Sequence, residues 1–279
     1  MTLEWDPEHQ DHTNNLGASQ PPLELPPRPP REQWRLRDLL FFLLFIPIAL
    51  LAANLIVIFG YAFLAPLAHW TVPIQKLQSN AVFLLTLQLI FYMFLVGFIY
   101  LFITLYYKAP FLGALKWKKV SAHNVLRFLL GGIALSLVVT MIPPFLPEKK
   151  SFPLEKMFDS TASAYAIAAF AIFIAPFVEE LLFRGLLFAF FEKHGGLVFA
   201  VVSTAILFAG LHVPEYWGAW HNIVMILIVG LTFSIVRGAT GSVTPSYVLH
   251  LAYNSTLMAL LFFQTQHFHK MPAAFLLFH

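Results

Sequence analysis

The chain contains no cysteine. That excludes a thiol nucleophile, thiolate metal ligands, disulfides and cysteine-linked lipid anchors, and leaves the redox compartment open. Charge is the second scarcity. Only 11% of residues are charged and 59% are hydrophobic, where a soluble domain carries about 25% charged residues. A water-soluble fold is excluded on that balance and a membrane protein is expected. Aspartate occurs only at Asp6, Asp11, Asp38 and Asp159, none deep in an apolar run, so a paired-aspartate hydrolase has no candidates. No His-Glu-x-x-His occurs, so the common zinc-helix motif is missing. Ser203, Ser234 and Ser255 lie in apolar stretches without a Gly-x-Ser-Gly context and read as helix-packing hydroxyls. There is no long basic run either, so the pI near 9.1 reflects Lys and Arg at segment ends and not nucleic-acid binding. No cleavable signal peptide is evident: the first apolar run is too long for one, and what precedes it is polar.

What the chain has in abundance is long apolar runs. They cover residues 39–64, 81–107, 125–142, 162–191, 197–211, 223–236 and 243–263. About 20 apolar residues cross a bilayer as a helix, so these read as spans, with the fifth and sixth short enough to sit inside a bundle. Residues 268–278 are apolar but too short to span. The fold class expected is all-α, a polytopic transmembrane helix bundle with about seven to eight hydrophobic segments. Residues 1–33 form a Pro-rich tail read as disordered. Residues 34–160 are read as scaffold segments, 161–265 as a catalytic core, and 266–279 as an apolar tail. Lys and Arg cluster before the first span (Arg28, Arg31, Arg35, Arg37) and after the second (Lys108, Lys116, Lys118, Lys119). With Lys193 and Arg237 after the fourth and sixth, they predict a cytoplasmic N-terminus, although Lys149, Lys150 and Lys156 would then lie outside. Asn54 and Gln88, lone amides in the first two spans, are expected to make interhelical hydrogen bonds.

The fourth run contains Val178-Glu179-Glu180-Leu181-Leu182-Phe183-Arg184-Gly185. Translocon-type scales charge about 2.5–3.5 kcal/mol for each ionisable residue at the centre of a span, so packing alone does not explain three of them. Glu180 and Arg184 are four apart with the acid first, the favourable order for an ion pair on one helix face. Glu179 points elsewhere and is left free for chemistry. Two further groups stand out: Phe208 with His212 at the end of the fifth run, and His250 with Asn254 at the start of the seventh. Each pair shares a helix face. A carboxylate and a histidine at one water make a general-base arrangement. A second histidine with an amide supplies two donors for a developing oxyanion. Tyr216, Trp217 and Trp220 sit where an aromatic belt or a substrate entrance is expected.

Glu179-Glu180-x-x-x-Arg184, Phe208-x-x-x-His212 and His250-x-x-x-Asn254, in that order, resemble the CAAX-protease and bacteriocin-processing (CPBP, or Abi) family of intramembrane glutamate proteases, which includes the Rce1-type endopeptidases. The resemblance implies that Glu179 activates water with His212 as partner, that His250 and Asn254 form the oxyanion site, and that Glu180, Arg184 and Phe208 support it. It implies a peptide or protein substrate, lipid-modified in some family members, and no cofactor. The first three spans carry no family motif. Two other readings stay open at this stage. One is a zinc-dependent hydrolase using Glu179, His212 and His250; the other is a non-catalytic membrane scaffold or immunity protein. Location in a bacterial-type cell membrane is the expectation throughout.

Overall fold

The computed structural model describes residues 34–70, 73, 77, 80–142, 157–158 and 160–269. The Pro-rich tail, Lys149, Lys150, Lys156 and residues 270–279 lie outside that set. The described chain is helical and contains six helical stretches long and apolar enough to cross a membrane. It is an integral membrane protein built as a polytopic bundle.

Helix α1 (Leu36–Leu67) is the longest, about 48 Å at 1.5 Å per residue, and so exceeds the roughly 30 Å of a hydrocarbon core. Its buried side chains, Phe42, Ala49, Ala53 and Val57, form one stripe, and its other faces present Leu, Ile and Phe outward, as lipid contact requires. Asp38 is buried in its first turn, where a carboxylate complements the helix dipole. It accepts from the backbone N–H of Arg35 at 2.7 Å and from the Tyr107 hydroxyl. The latter ties α1 to the end of α2 (Ala81–Leu101), which widens into a π-helical turn over Phe102–Tyr106. Burial first, then the bond to Asp38, pushes the Tyr107 phenol above its ordinary pKa.

The short α3 (Phe111–Ala114) leads into α4 (Ala122–Met141). Helix α4 packs along α9 (Val243–Gln264) through Gly132, where an added Cβ would stand 2.3 Å from the Leu249 carbonyl oxygen. Only glycine lets the two backbones approach that closely, beside His250. The loop after α3 closes the same end of the bundle: Val243 N–H donates to Lys116 O at 3.0 Å and Thr244 Oγ1 to Lys118 O at 2.6 Å.

The fourth run is not one regular helix. It proceeds as α5 (Thr161–Ala169), a π-helical stretch over Phe170–Ile174, α6 (Ala175–Glu179), a second π-helical stretch over Glu180–Leu187, and α7 (Phe188–Leu211). Gly196, at φ 78°, breaks α7, so residues 197–211 run as a separate short arm of about 22 Å. Among the described residues seven apolar arms result, one for each of the seven runs in the sequence. Helix α8 (Trp220–Thr240) packs on α7, with Thr204 Oγ1 and Ser234 Oγ 3.0 Å apart between them.

Three expectations need correction. The sixth run is not short: α8 has 21 residues, because Trp220 to Asn222 and Arg237 to Thr240 are helical despite their polarity. Arg237 is no loop cation marking a membrane face; it is 2% exposed, inside the last turn of α8. Asn54 and Gln88 bond within their own helices, to Leu50 O at 2.9 Å and the Tyr92 hydroxyl at 3.0 Å. Each amide reaches a partner one turn away on its own helix.

Candidate active site

Glu180 and Arg184 are both fully buried, with Arg184 Nη1 3.1 Å from Glu180 Oε1. The remaining capacity of that carboxylate is taken from α9. Ser246 Oγ donates to Oε2 at 2.7 Å, and His250 Nδ1 lies 3.1 Å from Oε1. A buried ionised pair is tolerable only when its other lone pairs and protons are bonded, and this carboxylate meets that condition. The guanidinium is held by Gly230 O, which accepts from Nη2 at 2.9 Å, and by the Phe208 and Phe233 faces, 4.6 and 5.3 Å from its carbon. Phe208 also lies 4.8 Å from the His212 ring and 5.9 Å from that of His250, and so packs between the two histidines.

Glu179 is not engaged in this way. Its side chain is 15% exposed, and Oε2 lies 3.7 Å from His250 Nε2, beyond a hydrogen bond. Since Nδ1 must donate to the Glu180 carboxylate, His250 presents Nε2 toward Glu179 and the space beyond it. His212, at the end of α7, has Nδ1 2.8 Å from Phe208 O. A carbonyl only accepts, so Nδ1 carries the proton in this contact. Glu179, His212, His250 and Asn254 all line one cavity of about 200 Å³. Its walls are otherwise mostly apolar, from Leu85 of α2 to Ile226 of α8 and Leu257 of α9.

Asn254 is placed by a defect in the helix opposite. Across the first π-helical stretch Ala175 N–H donates back to Phe170 O, a five-residue spacing. The next carbonyl, Ala171, would take the N–H of residue 176, and Pro176 has none. Asn254 Nδ2 supplies the missing donor at 2.8 Å. One amide hydrogen is thereby fixed on the backbone and the other remains for a ligand. π-Helical turns of this kind are frequent at functional sites.

Several site residues were not foreseen. Ser246 was legible in principle, one helical turn before His250 on the same face. Pro176 inside a span was a second signal. Gln88 lines the cavity and donates to Tyr92, whose hydroxyl interacts with Glu179; nothing in the sequence joined α2 to the glutamates. Glu215, in the turn after His212, also lines the cavity. Burial raises its pKa, opposed by the positive charge available on His212 and reinforced by Glu179. Tyr216 is buried on the cavity wall, whereas Trp217 and Trp220 are exposed and pack edge to face at 5.4 Å. Among the described residues no group of three His, Cys, Asp or Glu side chains converges closely enough to hold a metal ion.

Residues 161–256 match the family model of type II CAAX prenyl endopeptidase Rce1-like proteins. The chain is also similar to the UPF0177 protein YbdI of Lactococcus lactis subsp. lactis (strain IL1403), 28% identical over 138 residues, which is 50% of this chain and 71% of that protein. No solved structure matches the chain significantly.

Proposed function

Because this membrane protein carries an Rce1-like core over residues 161–256, of a family of CAAX-type membrane proteases, we propose that it is an intramembrane endopeptidase that cleaves by glutamate- and histidine-activated water. The observation that carries the reading is the convergence of Glu179, His212, His250 and Asn254 on one cavity. Glu179, free of the Glu180–Arg184 pair, is the general base. It takes a proton from water while the water oxygen bonds to the scissile carbonyl carbon. The carbonyl π electrons move onto oxygen, and that charge is received by the second Asn254 amide hydrogen and by His250, which acts in this proposal as an imidazolium, Nδ1–H on Glu180 and Nε2–H toward the oxyanion. On collapse the C–N bond breaks, and the leaving amine takes a proton relayed from Glu179 through His212 Nε2. Apolar walls around a small polar floor suit a substrate presented from the membrane, a protein or peptide with or without a lipid group. The N-terminus is cytoplasmic in this proposal.

The test compares peptide mass spectra of membranes containing the native chain or Glu179→Gln at equal folded levels, with a farnesylated peptide as added probe. New termini are expected only with the native chain, reduced by about 10²–10⁴-fold in the variant, as for loss of a general base. Cleavage that survives Glu179→Gln sinks the proposal. Cleavage abolished by a chelator and restored by zinc transfers the same residues to a metal mechanism.

A further inference from the structure

Arg237 belongs to none of the three motifs and does not line the cavity, yet it is 2% exposed and its Nε donates to Arg184 O at 3.0 Å. The second π-helical stretch explains why that carbonyl is available. Phe188 N–H donates back to Phe183 O, the last five-residue bond before α7 begins. When the ladder returns to four-residue spacing from there, one carbonyl is skipped, and counting forward from Phe183 it is Arg184's. At the first π-helical stretch the unpaired carbonyl has a different cause, the missing N–H of Pro176, and Asn254 fills Ala171 O. Each change of helical register is thus completed by one side chain from a neighbouring span.

Arg184 is consequently held by α8 at both ends. Its guanidinium donates to Gly230 O, and its own carbonyl accepts from Arg237. Gly230 and Arg237 are two helical turns apart on one face of α8. Between them Phe233 lies against the His250 ring at 4.4 Å and under the Arg184 guanidinium at 5.3 Å. Arg237 itself is seated over Phe188, 4.7 Å from the ring centre. We propose that Arg237 is a positioning residue: by completing the Arg184 carbonyl it fixes how far the Arg184 side chain reaches, and so where Glu180 holds His250. It rests on the proposed active site only in naming what is held.

The first measurement needs no cleavage. Full-length protein in nanodiscs is labelled with ¹⁵N-histidine, and the His250 signals are assigned by their loss in His250→Asn. Glu180→Gln, which alters the Nδ1 partner directly, gives the reference shift. Arg237→Met is expected to move the His250 Nδ1 signal in the same direction as Glu180→Gln, and Arg237→Lys, which keeps a cationic donor, to return it toward the native position. If Arg237→Met does not fold, Arg237→Gln stands in for it. With the farnesylated peptide or a substrate found by mass spectrometry, kcat falls by about tenfold to a hundredfold at unchanged KM. A lowered unfolding temperature with native His250 signals would show a merely structural arginine and overturn the assignment. Failure of the native protein to cleave anything would count against the protease reading alone, because the ¹⁵N comparison decides the role of Arg237 without it.

Discussion

Arg184 draws its tolerance for burial from one carboxylate, one backbone carbonyl and three aromatic faces, those of Phe183, Phe208 and Phe233. Glu180 in turn is bonded on both oxygens. Removing one partner of such a pair leaves the other as an uncompensated charge, which costs about 3–5 kcal/mol, whereas neutralising both costs far less. Arg184→Met is therefore expected to lose on the order of 3–5 kcal/mol of stability, and Glu180→Gln in the same chain to recover more than half of it. The glutamine keeps the acceptor for His250 and removes the charge. Thermal unfolding in detergent measures both; a double variant no more stable than the single one would show that the charges are not coupled. Glu179 differs from its neighbour in every one of these respects, being partly exposed and lacking a cation within hydrogen-bond reach. One position of sequence separates a fully bonded, buried carboxylate from the one proposed to react.

At the scale of elements, the two π-helical stretches set the direction in which the site faces. An unbroken α-helix from Thr161 through Leu187 would satisfy its own carbonyls and leave Asn254 nothing to hold on this helix. Pro176 enforces the first departure by withholding an N–H. Pro176→Ala restores it, so the Ala171 carbonyl is expected to gain a helical donor and Asn254 to be released. Cleavage should then fall by about tenfold or more, while the unfolding temperature holds or rises, since proline is the poorest helix-interior residue. A variant that loses stability and activity together would assign the proline to packing instead. The expectation of lone amides bonding between helices failed at this scale too. Asn54 and Gln88 reach acceptors one turn away, and spacing of four was sufficient to see that.

At the scale of the whole molecule, the ends of the bundle are tied. Lys116 and Lys118 meet the start of α9 at one end, and Thr161 Oγ1 donates to Phe268 O at the other. Loops 108–120 and 241–242 therefore share a membrane face, and the turn at 212–219 is at the opposite one. The charge bias predicts that the lysine-bearing face is the cytoplasmic one. The chain has no cysteine, so single cysteines report topology without background. Lys119→Cys is expected to react with an impermeant maleimide only after cells are opened, and His69→Cys in intact cells. The reverse pattern would invert the orientation and leave the fold unchanged.

Composition determined that this protein lives in a membrane, and the length of its apolar runs that it crosses as helices, because about 20 residues are what a helix needs to span the hydrocarbon. Spacing determined the Glu180–Arg184 pair, since four residues is a property of the local helix. The order of three motifs determined the resemblance that residues 161–256 carry. Only the tertiary structure decided that Glu179, His212, His250 and Asn254 open onto one cavity, because no periodicity specifies how separate spans rotate about their axes. It alone moved Arg237 from a loop marker to the buried end of a clamp. Hydropathy counts a cation as a membrane boundary, but a carbonyl left over by a change of helical register makes a site for that cation inside the protein.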